Sequence, residues 1–139
     1  MIEYSFYLMA TGLILAMFIP QLIKIITETT KNKKFEFSYF FLDGGMPSSH
    51  SSSVAALSTA IGLTQGYSVI TLVTLAISSV IIRDSFGIRL EVGKQKKILE
   101  KLDPKDARIE KLKREGHTVA QVIAGIFFGI LIMLATLAI

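Results

Sequence analysis

The sequence predicts an all-α integral membrane protein of about four transmembrane helices plus short interfacial helices. Three observations carry that prediction. Of the 139 residues, 51% are hydrophobic and the mean hydropathy is +0.55. The apolar residues fall in long uncharged blocks, not in the periodic stripes of soluble helices. The charges are equally segregated: all 15 Lys and Arg lie within two regions, 24–50 and 83–117. The chain reads as one domain over 1–139, with spans expected at about 4–26, 47–65, 68–88 and 117–138 and a charged interfacial segment over 89–116. Cysteine is absent, which excludes disulfides and thiolate metal sites. The net charge of +4 reads as a membrane-surface feature, and no nucleic-acid partner is expected.

No residue from Tyr4 to Ile23 is charged, and a helix of that length covers about 30 Å, the thickness of a bilayer core. No basic region or small-residue cleavage site accompanies it, so it reads as a retained span and not a signal peptide. Pro20 is expected in its last turn, and Lys24 follows at snorkelling distance from the headgroups. A polar connection over 28–43 carries Lys31, Lys33 and Lys34 and then Phe35, Phe37, Tyr39, Phe40 and Phe41, a composition suited to the interfacial belt.

The stretch Gly44-Gly45-Met46-Pro47-Ser48-Ser49-His50-Ser51 holds one of only two histidines. A helix starting at Pro47 points its positive end, with hydroxyl and N–H donors from Ser48 and Ser49, at an anion such as phosphate. The same residues also suit a plain capping turn.

The next 32 residues, between His50 and Arg83, are uncharged. A single helix of that length would reach about 48 Å, so two helices joined at Gln65-Gly66-Tyr67-Ser68 fit better. His50 and Arg83 then lie at the membrane boundary, where ionisable groups are functional candidates. In the charged segment, Asp103-Pro104 reads as a helix start, with Ile98, Leu99, Leu102, Ile109 and Leu112 as apolar contacts of two interfacial helices. A solvated loop is the alternative. His117 opens the last span, and steps of four from it give Gln121, Gly125 and Gly129, placing a GxxxG pattern on the histidine face.

Four spans bring both basic regions to one side of the membrane. The positive-inside rule makes that side cytoplasmic, in the cell (inner) membrane. Lys24, Ser48, Ser49, His50, Arg83, Arg89 and His117 then share one face with two helix N-termini, an arrangement suited to a dianion. Asp84 is expected to give structural support by pairing with Arg83. No acid-rich cage is visible beyond Asp84 and Glu91, and no metal or cofactor is expected.

Gly44-Gly45-Met46-Pro47-Ser48-Ser49-His50, Arg83-Asp84 with Gly87-Ile88-Arg89, and Gly116-His117-Thr118 with Gln121-Val122 and Gly125 together resemble the divergent branch of the type 2 phosphatidic acid phosphatase superfamily. That superfamily shares its site with vanadium-dependent haloperoxidases. The resemblance implies that His117 is a nucleophile and that His50 protonates the leaving oxygen. It departs from the mainstream pattern at three places. Lys111 stands where an arginine is expected, Gln121 where an aspartate is expected, and Lys24 and Lys31 keep a cation spacing in which Asn32 replaces proline. Gln121 is expected to accept the His117 Nδ1 proton without adding charge.

The implied function is hydrolysis of a lipid phosphomonoester or diphosphate through a phosphohistidine. Lys24, Arg83, Arg89, Lys94, Ser48 and Ser49 would hold the phosphate oxygens. The expected partners are a lipid phosphate, the membrane and a second copy of the chain in a homodimer or larger assembly. The alternative is a catalytically silent membrane protein that binds anions or lipids, or acts as a scaffold. In that case the histidines are interfacial or capping residues.

Overall fold

The computed structural model describes residues 6–37, 39, 45–103 and 116–139. Gly44, Phe40, Phe41, Pro104, Ile109, Lys111 and Leu112, all given roles above, lie outside the described residues. The described residues form five helices and no strand: α1 (Phe6–Asn32), α2 (Ser49–Gln65), α3 (Val69–Phe86), α4 (Ile88–Leu102) and α5 (Val119–Leu137).

Three helical stretches, Phe6–Asn32, Val69–Leu102 and Val119–Leu137, are long and apolar enough to cross a membrane. The helix α2 stands apart. It has 17 residues, among them five serines and two threonines, which dilute its hydropathy. Its hydroxyls are nevertheless largely absorbed. Ser53, Ser58, Thr59 and Thr64 each donate to the carbonyl four residues earlier at 2.8–2.9 Å, which lets a polar sequence run as a helix through apolar surroundings. Ser58 also meets Ser78 of α3 at 3.0 Å, a hydrogen bond between helices.

The helix ends follow their caps. Ser48, in extended conformation, caps α2, so that helix starts at Ser49 and not at Pro47. Thr118 and Gln121 form a reciprocal capping box that starts α5 at Val119. The helix α1 continues to Asn32, well past the expected end near residue 26, with Pro20 inside it and not in its last turn.

In the packing, α2 lies against α1, α3 and α5, and α5 also packs on α1. Glycines set the closest approaches. A Cβ at Gly125 would press on the Ser48 carbonyl at 2.5 Å, one at Gly129 would run into the Ser52 carbonyl, and one at Gly12 would meet the Met133 thioether at 2.8 Å. Ala16, Ala56, Ala60 and Met133 fill the small core between these helices. The helices α1 and α3 flank α2 without touching each other, and among the described helices α4 touches only α3.

Candidate functional site

One end of the bundle is drawn together by hydrogen bonds between elements far apart in sequence. Because α3 stops at Phe86, the Ser85 carbonyl is among the last four of its helix and lacks an intrahelical donor. It accepts the His117 N–H at 2.9 Å. Gly116 makes the approach possible. Its φ of +66° lies in the left-handed region, and a Cβ there would collide with the backbone of Arg89 and Leu90. The start of α2 is tied to the start of α5 by a Ser48 N–H bond to the Gln121 carbonyl at 3.2 Å. The start of α2 is tied to α1 by Lys24 Nζ, which donates to Ser49 Oγ at 3.2 Å.

His50 and His117 meet at this end. Their ring centroids are 6.4 Å apart and the planes are tilted by 59°, so they are neighbours without stacking. Their environments differ: His117 is 2% exposed, whereas His50 lies on the exposed side. Lys24 is buried at 3% exposure, its stem packed beside Gly45, whose φ is +76°. A cation so placed within an apolar bundle is costly unless it serves a partner. Ser49 extends the polar chain by donating to Gln21 Oε1 at 3.5 Å, and Gln21 Nε2 donates to the Tyr39 carbonyl at 3.2 Å.

Several expected site residues do other work. Ser48 is fully buried, and its Oγ accepts from the Ser51 N–H at 3.3 Å and the Ser51 hydroxyl at 3.1 Å. With its own N–H bonded to Gln121, it is a cap and faces no external anion. Gln121 Oε1 accepts the Thr118 N–H at 3.0 Å, closing the capping box, where the sequence suggested the imidazole of His117. Asp84 pairs with Arg89, not with Arg83: Arg89 Nε lies 2.7 Å from Asp84 Oδ2 across the break at Gly87. Lys94 pairs with Glu91 at 2.6 Å on the exposed side of α4. Arg83 is exposed near the end of α3, and Lys31 is exposed in the last turn of α1.

The structure thus brings together His50, His117, Ser49 and Lys24, and it leaves Lys94 at a distance along α4. Gln21, Ser85 and Gly116 belong to the site and were not singled out as site residues by sequence. Gln21 carried a usable signal, as an amide one turn before Lys24 in an uncharged run. Ser85 acts only through its backbone, which no side-chain pattern discloses.

The fold and site define a helical membrane protein with two histidines and a buried lysine gathered at one end. Residues 6–132 match the Divergent PAP2 family, and the chain belongs to that family. It is also 34% identical over 137 residues to the uncharacterized membrane protein YuiD of Bacillus subtilis (strain 168), a match covering 86% of this chain and 87% of that one. No solved structure matches the chain.

Proposed function

We propose that the protein is a lipid-phosphate phosphatase that hydrolyses a lipid phosphomonoester or diphosphate through a phosphohistidine. The single observation that carries this reading is the meeting of the only two histidines at 6.4 Å beside a buried lysine. His117 is the nucleophile: buried and held by its own backbone, it presents a neutral imidazole to phosphorus. His50 is the acid that protonates the departing oxygen. Lys24 and Ser49 neutralise and bind phosphate oxygens, with Arg83 and the Asp84-paired Arg89 adding positive charge at the same end. Catalytic hydrogen bonds often tighten only in the substrate complex.

In this proposal α2 crosses the membrane with its neighbours. Its 17 residues rise about 26 Å, close to the hydrocarbon thickness. The shared end then faces the cytoplasm, because both basic regions lie there. The homodimer or larger assembly also belongs to the proposal. A second reading, an anion or lipid binder without turnover, is favoured by one observation: the Gln121 oxygen is committed to the α5 cap, so no carboxylate or amide from that position orients His117.

Phosphate release from a panel of lipid phosphates by purified protein separates the two. Wild type is expected to turn over at least one substrate, and His117→Ala and His50→Ala are each expected to lower its rate by about 10²-fold or more. Equal inactivity of all three proteins supports the silent reading. Full activity of both variants removes the histidines from the mechanism.

A further inference from the structure

The helices α3 and α4 meet at Gly87, whose φ of −95° and ψ of −94° leave the helical course. The elbow between them receives residues 116 and 117. On the α3 side the Ser85 carbonyl accepts the His117 N–H at 2.9 Å. On the α4 side Gly116 rests on the backbone of Arg89 and Leu90 so closely that a Cβ would collide with it. Asp84 and Arg89 bridge the elbow at 2.7 Å. The position of α4 relative to α3 therefore shapes the surface on which Gly116 and His117 lie.

The other side of α4 has a different character. Ile88, Val92, Ile98, Leu99 and Leu102 are all exposed, and at 3.6 residues per turn they fall within about 120° of arc. Gly93, which is buried, lies on the opposite side, as does Leu90. Lys94 and Lys101 border the apolar stripe on one edge and Lys96 borders it on the other. Such a helix sinks its stripe below lipid headgroups and keeps its lysines among them. It also follows without a loop on α3, in a stretch long and apolar enough to cross a membrane, so its first turn stands near headgroup level.

We propose that α4 seats on an anionic phospholipid surface and that this contact fixes the elbow that places His117. Charge selects the partner. The helix has five basic and two acidic residues, so a second copy seated stripe to stripe would bring two positive helices together, whereas anionic headgroups complement them. With α4 unseated, Gly116 loses its support and the His117 N–H opens from the Ser85 carbonyl. The effect on turnover rests on the proposed function, and the lipid contact itself does not.

The test places the full chain in nanodiscs of phosphatidylcholine alone or with phosphatidylglycerol and follows hydrogen–deuterium exchange in peptides spanning residues 116–118. Phosphatidylglycerol is expected to slow exchange there by about tenfold or more. Added salt is expected to weaken that effect, and Ile98→Asp combined with Leu102→Asp is expected to abolish it. Phosphate release from a lipid phosphomonoester is expected to rise with phosphatidylglycerol in the wild type and not in the double variant. Equal exchange in the two lipids overturns the proposal, and so does a phosphatidylglycerol effect that the double variant keeps in full. Protection that appears only when a second copy shares the nanodisc assigns the stripe to that copy and overturns it as well. The comparison of lipids needs only wild-type protein, so a variant that fails to fold does not blunt it. Slowed exchange without phosphate release keeps the lipid contact and removes the phosphatase reading. Phosphate release with exchange indifferent to lipid does the reverse.

Discussion

His117 is placed by groups that carry no chemistry of their own: the Ser85 carbonyl that accepts its N–H and the Gly116 that lets its backbone lie against Arg89 and Leu90. Gly116→Ala adds a Cβ where backbone already sits and forces a left-handed φ on a residue that disfavours it. The expected outcome is a phosphate-release rate lowered by about 10²-fold, the usual effect of displacing a reacting group by an ångström. Circular dichroism and detergent gel filtration should show the helices still formed, and an unchanged rate would mean that Gly116 does not set the histidine. At this scale the pairing of His50 with His117 was legible, because each opens an uncharged run from the same expected side. The roles of Ser48 and Gln121 were not. Near a helix start, a hydroxyl or amide has the same chemistry whether it serves a ligand or the helix's own N–H groups, and only the burial of Ser48 and the Thr118 bond of Gln121 decide it. Asp84 was assigned the wrong arginine because the break at Gly87 changes which side chains face one another.

Between elements, the contact that matters most is α2 on α5. The Gly125 and Gly129 stripe meets Ser48, Ser51 and Ser52 so closely that side chains are excluded. Gly129→Leu is expected to separate these helices and cost about 1–3 kcal/mol, read as a lowered midpoint of thermal unfolding in detergent. A midpoint equal to wild type contradicts the crossing. The GxxxG spacing disclosed this face in advance, since 3.6-residue periodicity puts both glycines on the side of His117. The end of α1 was not legible: residues 27–32 are polar, and the helix continues through them because Thr27 and Thr30 return their hydroxyls to the carbonyls of Ile23 and Ile26 at 2.7 Å. The helix α4 offers a separate check. Ile88, Val92, Ile98, Leu99 and Leu102 are exposed along it, with five basic and two acidic residues in the same helix. That pattern suits an anionic lipid surface. The chain lacks cysteine, so a fluorophore on Ile98→Cys reports without background. It should be quenched by membrane-embedded quenchers in liposomes containing phosphatidylglycerol, and quenching by aqueous iodide alone would place α4 in water.

For the molecule as a whole, the order of apolar and charged blocks foretold an all-helical membrane protein, and it put together the helix ends that the Ser48–Gln121, Ser85–His117 and Lys24–Ser49 bonds join. It did not settle whether α2 crosses the membrane, because seven hydroxyl residues in 17 weaken the hydropathy signal while the return of four of them to the helix's own carbonyls favours compatibility with lipid. The central claim is that the two histidines act on one phosphoryl group. Rapid alkaline quenching of the purified protein during turnover of a radiolabelled lipid phosphate, followed by peptide mass spectrometry, tests it most directly. Base-stable, acid-labile phosphate is expected on His117 and is expected to be absent from His117→Ala. Phosphate release without label on His117, or label equally present in His117→Ala, would contradict it.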